Sequence, residues 1–277
     1  MNLISKQCII LGGGVSIREG IDKGLWSKLE NKFTIGLNFS YKFFNSTFTC
    51  FVDPMTFYRK NKHELKNLGL LAGRYTPEIK KEVLPNTIFL KPCPNYTRDL
   101  NKGVYNCYLC GLWALSLAIY TLDAGEIYLL GFDNGSLPVD KKENTMALKT
   151  SKGLKEIEVE KVSPQLLKQI KNIVIIKKER DKPLRAMSHW YQGKLEHRGI
   201  GRINFYHASN KTNDLFKVYQ NETKCKIFNV SPKSNLTVFP KIGYDEMFIR
   251  INPETYNQDE LRNQIREKLI LLPTGIK

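Results

Sequence analysis

Short apolar runs separated by helical patterns set the expected architecture of this chain. Apolar residues recur at helical intervals over 106–122 and 258–269, and more weakly over 213–221. Runs with strand character lie between these segments. Strands that alternate with helices through short turns predict an α/β protein with a Rossmann-like, doubly wound, mostly parallel sheet. The predicted strands are 8–11, 33–37, 47–52, 87–90, 126–133 (taken as the central strand) and 226–230.

Four of the predicted strands end on a glycine or a polar residue, namely Gly12, Asn38, Asp53 and Asp133. In parallel α/β sheets, ligands bind in the crevice outside the carboxyl ends of the strands. We therefore expect these four residues to converge on one site. A short amphipathic helix is predicted over 38–45 and another helix from Met55, after which the chain is predicted to be loop-like up to about residue 85.

The first strand breaks into Gly12, Gly13 and Gly14, and Ser16 precedes a predicted helix. The Ser16 hydroxyl is placed either to cap that helix or to bind a phosphate. Glycines between a strand and a helix start let a phosphate approach the backbone N–H groups closely. The spacing matches neither the dinucleotide fingerprint nor a Walker A loop, and the second strand ends on Asn38 instead of an acidic residue. The loop is predicted to bind a nucleotide, and a plain tight turn is the alternative. We expect Gly14→Val to abolish nucleotide binding and to leave the fold intact.

The chain has 277 residues, of which 42% are hydrophobic, which is enough for a sizeable core. We predict a nucleotide-binding core over 1–133, a basic insertion over 134–187 that acts as a lid or acceptor-binding piece, and a C-terminal part over 188–277 that completes the core. The formal net charge of +16 favours a polyanionic partner, although a lysine-rich composition alone gives the same charge. The predicted acceptor contacts are Lys141, Lys142, Lys149 and Arg198.

The six cysteines lie mostly in apolar runs, as reduced thiols do, which predicts a cytoplasmic protein. Cys107 and Cys110 form a Cys-x-x-Cys pair with no second pair in view, so we interpret them as core residues and not as a zinc or redox site. No run reaches the roughly 18 apolar residues that a membrane span needs, and no secretory leader pattern is present. The sequence leaves the oligomeric state open.

Two of the four histidines are candidates for a general base. His189 and His197 lie in polar segments after the main strands, and His197 is followed by Arg198 and Gly199. Imidazole titrates near neutral pH and can take a proton from an acceptor hydroxyl. A merely exposed or structural histidine is the alternative interpretation. His197 is the first choice for the catalytic base and His189 the second.

A set of short motifs resembles, in order, the bacterial sialyltransferases that modify lipooligosaccharide. It is also similar to the related motility-accessory and pterin-pyrophosphokinase-like proteins. The motifs are Gly-Gly-Gly-Val-Ser-Ile (12–17), Gly-Leu-Asn (36–38), Phe-Val-Asp-Pro (51–54), Cys-Gly (110–111), Glu-Ile-Tyr-Leu-Leu-Gly-Phe-Asp (126–133), Ser-His-Trp (188–190), His197 and Ser-Pro-Lys-Ser (231–234).

The resemblance implies a sialyltransferase-like variant of the GT-A fold and a metal-independent reaction. It implies that Gly12, Gly14, Ser16 and Asn38 hold the donor nucleotide and that His197 is the base. The same motifs add Gly13, Cys110, Gly111, Asp133, Ser231 and Ser234 to the predicted donor site, and Asp53 or Asp133 is predicted to position sugar hydroxyls. The chain departs from the family pattern at Gly13, Asp53 and Cys110, where the family has a polar residue, an asparagine and a serine.

The predicted function is transfer of a sugar from a nucleotide sugar to an acceptor hydroxyl, with no metal and no bound cofactor. The nucleotide sugar is the co-substrate, and the acceptor is a glycan or a polyanion such as DNA with hydroxymethylated bases. One alternative is a pyrophosphokinase that acts on a small alcohol and holds Mg²⁺ through Asp53 and Asp133. Another is a nucleic-acid-binding protein without enzymatic activity.

Overall fold

The computed structural model describes residues 7–14, 16–79, 83–105, 109–133 and 212–275, and the backbone of four strands between 145 and 185. The core is a seven-stranded sheet in the order β13-β8-β1-β2-β3-β4-β5, and every pairing in it is parallel. In chain order the strands are β1 (Gln7–Leu11), β2 (Thr34–Leu37), β3 (Phe48–Phe51), β4 (Leu71–Arg74), β5 (Thr87–Leu90), β6 (Pro92–Cys93), β7 (Val104–Tyr105), β8 (Glu126–Leu130), β9 (Thr145–Thr150), β10 (Gly153–Glu158), β11 (Ile173–Glu179), β12 (Lys182–Arg185) and β13 (Lys226–Asn229).

Helices cover both faces of this sheet, so the architecture is α/β and Rossmann-like. The α-helices are α1 (Ile17–Asp22), α2 (Leu25–Leu29), α3 (Arg59–Leu65), α4 (Cys110–Tyr120), α5 (Tyr244–Arg250) and α6 (Gln258–Ile270). Shorter 3-10 helices are Asn38–Lys42, Pro77–Ile79, Leu100–Lys102 and Lys217–Tyr219. A helical stretch over 212–216 precedes the last of these, and a π-helix covers Pro54–Tyr58.

Strand β1 shows why the core sequence is apolar on both faces. Cys8 and Ile10 pack into the cluster that contains α4 and α6, whereas Ile9 and Leu11 pack into the opposite cluster with α1, α2 and α5. A parallel strand covered on both faces needs an unbroken apolar run and not an alternating one. For the same reason α4 is apolar all round, and every residue from its start to Ile119 is buried.

All six predicted strands are present, and the predicted closing helix is confirmed as α6. The helix predicted from Met55 is present as the π-helix Pro54–Tyr58 and α3, and the loop-like prediction after it is wrong because β4 lies there. The predicted strand 126–133 is an interior strand, but it lies beside the edge strand β13 and not at the centre. The helix predicted from 106 begins at Cys110, since Leu109 has extended backbone angles. The helix predicted over 38–45 is the shorter 3-10 helix.

The basic segment predicted as a lid contains regular structure that its sequence pattern did not predict. Strands β9, β10, β11 and β12 form a second sheet in the order β10-β9-β11-β12, and all its pairings are antiparallel. The register pairs Met146 with both Ile157 and Ile175. In the part of the chain that is described, no helix is both long and apolar enough to cross a membrane.

Candidate functional site

The four strand-end residues expected to converge follow four consecutive neighbours in the sheet. Strands β8, β1, β2 and β3 lie side by side in that order, so Asp133, Gly12, Asn38 and Asp53 all lie at one edge. The chain winds outward from β1 to β5 and returns on the other side of β1 as β8, which makes the β1–β8 boundary the topological switch point. With strands about 4.8 Å apart, this edge is roughly 14 Å long between its two aspartates.

At the switch point the glycine loop is hydrogen-bonded to the segment that follows β8. The N–H of Gly12 donates to the carbonyl of Leu130 at 2.7 Å, and the N–H of Gly14 donates to the carbonyl of Gly131 at 2.7 Å. The N–H of Ser16 donates to the Asp133 carboxylate at 2.8 Å. Three of the donors that the sequence suggested for a phosphate are therefore used inside the protein.

The glycines of this loop are required by backbone packing, whatever ligand binds. A Cβ on Gly14 would lie 2.5 Å from the carbonyl oxygen of Gly131 and 2.6 Å from a carboxylate oxygen of Asp133. A Cβ on Gly12 would lie 2.7 Å from the same Gly131 oxygen, and Gly131 itself has a positive φ of 68°. The expectation that Gly14→Val spares the fold is therefore wrong, because the backbone atoms it would meet cannot move aside cheaply.

Asp133 and Ser16 are both nearly inaccessible, at 2% and 8% exposure. The Ser16 hydroxyl makes no hydrogen bond within the described part of the chain, and it does not cap the helix α1 that it precedes. Capping was one of the two roles expected of this hydroxyl. The other, a hydrogen bond to a ligand, stays a prediction.

Ser231 and Ser234, predicted as donor-binding residues, are buried beside the same segment at 3% exposure each. The Ser234 hydroxyl donates to the carbonyl of Phe132 at 2.7 Å and accepts from the N–H of Leu236 at 2.9 Å. Its oxygen is thus engaged both as donor and as acceptor within the protein. Ser234 holds the loop after β13 against the segment after β8. This contact helps to fix the position of Asp133, which follows Phe132.

Cys110 begins helix α4 and lies between the ends of β2 and β3. Its thiol is buried and donates to the carbonyl of Cys50 at 3.1 Å. Burial raises the pKa of this thiol well above its usual value, and hydrogen bonds from the backbone N–H groups of Asn38 and Val52 offset this only in part. Cys110 is therefore a neutral thiol at physiological pH. The five described cysteines are all free, as expected, while Cys107 lies outside the described residues.

Helix α4 directs its N-terminus toward this edge of the sheet. Within the described part of the chain no side chain caps it, and its first turn contains no acidic residue. The ring of Phe132 packs against Gly111, where a Cβ would lie 2.5 Å from a ring carbon. The first turn of α4 is thus brought against the segment after β8 on one side and against Asn38 on the other. The structure brings the predicted residues Cys110 and Gly111 into the same crevice as the glycine loop.

Asn38 has a left-handed backbone, with φ of 49°, and its side chain is half-buried. Asparagine tolerates this conformation better than most residues, which explains its place at the turn between β2 and the 3-10 helix. Asp53 is exposed and caps the π-helix: one carboxylate oxygen accepts from the N–H of Thr56 at 3.0 Å and the other from the Thr56 hydroxyl. π-helical turns are frequent at functional sites.

The two aspartates proposed to share one Mg²⁺ are far apart. Asp53 follows β3 and Asp133 follows β8, three strand spacings away, which is roughly 14 Å. A shared Mg²⁺ would need both carboxylates within about 2.1 Å of the ion, whereas the Asp133 carboxylate lies against Gly14 and Ser16 and the Asp53 carboxylate binds Thr56. Among the described residues no group of three His, Cys, Asp or Glu side chains is arranged to hold a metal ion.

Beside Asn38 and Asp53, aromatic side chains pack together in a cluster. Phe39 packs edge-on against Phe57 with ring centroids 5.0 Å apart, and Tyr41 lies 6.1 Å from Phe57. The Tyr41 hydroxyl donates to Glu64 at 2.7 Å, and this bond holds the pKa of Glu64 below its usual range. The 3-10 helix is thereby tied to α3 by a charged hydrogen bond.

Arg74 is a residue that the sequence interpretation missed at this edge. It ends β4, next to β3, and is half-buried. The missed signal was the apolar run Leu70-Leu71-Ala72, which is short and is followed by Gly73 and a charged residue. With β4 in place, this edge of the sheet extends one strand further and ends on Arg74.

The catalytic and acceptor candidates fall mostly outside the described residues. The residues outside the described part are His189, His197, Arg198, Lys141 and Lys142. Lys149 lies in β9, of which the backbone alone is described. Their roles stay predictions.

A separate cavity of about 390 Å³ lies at the opposite, amino edge of the sheet. Its two cations are already bound to backbone carbonyls: Lys32 Nζ donates to the carbonyl of Asn252 at 2.8 Å, and Arg262 Nε donates to that of Thr47 at 3.0 Å. We interpret this cavity as part of the contact between α6 and the sheet, because its charges are used for that contact.

Comparison of the chain with protein-family models, with curated proteins and with solved structures found no match. The resemblance to sialyltransferases therefore stays a prediction from short motifs.

Proposed function

We propose that this chain transfers a glycosyl group from a nucleotide sugar to an acceptor hydroxyl, without a metal ion, on a sialyltransferase-like variant of the GT-A fold. The observation that carries the proposal is the crevice at the carboxyl ends of β8, β1, β2 and β3, where residues predicted separately from the sequence lie side by side. Nucleotide ligands of Rossmann-like sheets bind at this edge.

The anionic part of the donor is assigned to the first turn of α4 and not to the glycine loop. The N–H groups at the start of an uncapped helix favour negative charge, and among the described residues α4 has neither a side-chain cap nor an acidic residue in its first turn. The loop donors of Gly12, Gly14 and Ser16 are already bonded to protein acceptors. Asn38 lies between the two and would contact the nucleotide from the β2 side.

In the proposed reaction the acceptor oxygen bonds to the anomeric carbon of the sugar as the bond from that carbon to the phosphate oxygen breaks. His197, with His189 as second choice, takes the proton of the acceptor hydroxyl. The leaving nucleotide phosphate receives the electron pair, and the helix N-terminus stabilises its charge. The exposed Asp53 positions sugar hydroxyls.

The charge distribution supports a polyanionic acceptor, such as DNA with hydroxymethylated bases. The stretch 134–211 contains 17 of the 43 Lys and Arg residues but 8 of the 27 Asp and Glu residues. It therefore carries +9 of the formal net charge of +16. Such a concentration of positive charge favours phosphate contacts, although a glycan acceptor stays open. The free thiols among the described cysteines fit the reducing cytoplasm.

The proposal is tested by incubating the protein with a panel of nucleotide sugars in EDTA, together with glycan or hydroxymethylated DNA acceptors, and measuring the acceptor mass. We expect the acceptor mass to increase by that of a hexose or a sialic acid with one donor.

His197→Ala should lower the rate by about two orders of magnitude or more, whereas the matched variant His63→Ala, at an exposed histidine of α3, should not. Wild-type turnover should fall as pH drops through the His197 pKa, near 6.5 if unperturbed.

Three results would count against this function. Transfer that continues at the normal rate in His197→Ala removes the catalytic assignment. A requirement for ATP and Mg²⁺, with transfer of pyrophosphate to an alcohol, establishes the kinase alternative. DNA binding with steep salt dependence but no nucleotide effect establishes the binding protein, since phosphate contacts release counterions whether or not chemistry follows.

A further inference from the structure

The glycine loop has the geometry of an anion site, and the anion in it belongs to the protein. Backbone N–H groups between a strand and a helix start commonly bind phosphate. Here the donor at the head of α1, the Ser16 N–H, binds a carboxylate oxygen of Asp133 at 2.8 Å. The same carboxylate lies against Gly14, where a side chain would come within 2.6 Å of it.

This carboxylate is held firmly from its own side of the crevice. The carbonyl of Asp133 accepts from the N–H of Asn235 at 2.8 Å, and the carbonyl of the preceding Phe132 accepts from the Ser234 hydroxyl at 2.7 Å. Only 2% of Asp133 is exposed. Loops after both β8 and β13 thus deliver the carboxylate to the glycine loop.

The buried Tyr244 lies close to both Asp133 and Glu19. The buried hydroxyl of Tyr244 has a pKa raised well above its usual value by burial, and the negative charges of Asp133 and Glu19 raise it further. Tyr244 packs on α1 at Gly20, so it approaches the same loop from the face that α5 covers. A ligand phosphate brought to this loop would meet a like charge already in place.

We propose that the Asp133 carboxylate is a built-in substitute for phosphate, which fills the anion position of the glycine loop and excludes phosphate from it. The loop end of the crevice then accepts only the neutral part of a ligand, such as a nucleoside. If the proposed transferase function holds, this fixes the direction of the donor, with its nucleoside toward β8 and β1 and its phosphate toward α4. The substitution itself does not depend on that function.

Chemical rescue tests the proposal. Asp133→Ala leaves the Ser16 N–H without its acceptor and opens a space for a small anion. We expect its Tm to fall, and formate to restore most of the loss in a saturable manner while chloride at equal ionic strength does not. Asp53→Ala is the matched control: it also removes a strand-end carboxylate, but an exposed one, and formate should not restore it. In amide NMR spectra of Asp133→Ala, formate should move the Ser16 resonance.

A second measurement holds even where Asp133→Ala does not fold. In the wild-type protein, titration with inorganic phosphate should leave the amide resonances of Gly12, Gly14 and Ser16 unmoved. Saturable movement of these three resonances would overturn the proposal, and so would a folded Asp133→Ala that formate fails to rescue. Both outcomes concern inorganic ions alone, so they are independent of whether any nucleotide sugar is a substrate.

Discussion

The two ends of the candidate crevice differ in how their polar groups are used. At the β8–β1 end, the donors of Gly12, Gly14 and Ser16 are bonded internally and Asp133 is buried. At the β2–β3 end, Asn38 is half-buried and Asp53 is exposed. The β8–β1 end is therefore a closed end, whose polar groups stabilise the fold. The β2–β3 end is an open end, whose polar groups a ligand can reach. The glycine-rich motif, taken alone, would have placed the ligand-binding groups at the β8–β1 end.

Gly14→Val should show the largest effect, because it acts on the closed end. The new side chain would meet the Gly131 carbonyl and the Asp133 carboxylate, and overpacking against backbone costs about 3 kcal/mol. We expect this loss in the free energy of unfolding measured with urea. Gly243→Ala is the control, because no atom lies within 4 Å of the added Cβ. Equal stabilities of the two variants would show that the loop is not packed as described.

Substitutions at Asn38 separate backbone strain from ligand contact at the open end. Asn38→Ala should lose about 1 kcal/mol, since alanine disfavours the left-handed conformation. Asn38→Gly removes the same amide but accepts this backbone, so its stability should stay close to that of the wild type. Urea unfolding of both variants checks the difference. A stable Asn38→Ala would mean that the turn changes conformation easily.

Glu64→Gln should loosen the open end by a smaller amount. Its carboxylate accepts from the Tyr41 hydroxyl at 2.7 Å and pairs with Lys42 at 3.0 Å, and partly exposed pairs of this kind contribute about 0.5 kcal/mol. The hydrogen bond from Tyr41 and the Lys42 charge outweigh burial and lower the pKa of Glu64. Its contribution is therefore present above the unfolded pKa, near 4.3, and is lost as pH falls through the folded pKa.

The measurement for Glu64 is the pH dependence of unfolding in the wild type and in Glu64→Gln. The difference between the two should shrink as pH falls below about 4. A difference that is constant with pH would show that the carboxylate charge does not tie the 3-10 helix to α3.

Ser16→Ala should have the smallest effect on stability, within about 0.5 kcal/mol. Its hydroxyl is buried without a hydrogen bond in the described part of the chain, so removing it breaks none there. The N–H that binds Asp133 remains. Differential scanning calorimetry can resolve the change, and a loss of more than about 1 kcal/mol would reveal a structural partner for this hydroxyl.

The sheet was predictable because buried parallel strands have unbroken apolar sequences, as in Cys8–Leu11. Strand β4 was not predicted from the sequence because half of Leu71–Arg74 is glycine and arginine. The gathering of Asn38, Asp53 and Asp133 at one edge followed from strand order. The internal use of the loop donors did not, since Asp133 is 117 residues from Ser16 and only the folded contact reveals their bond.

The most direct test of the central claim is nucleotide-induced stabilisation of the wild type and of Asn38→Gly, measured in EDTA with a panel of nucleotides and nucleotide sugars. The account predicts that a nucleotide sugar raises the Tm of the wild type without Mg²⁺, and that the rise is largely lost in Asn38→Gly, whose unliganded Tm is nearly unchanged. An equal rise in both proteins would place the ligand elsewhere. No rise with any nucleotide would contradict the assignment of this crevice as a nucleotide site.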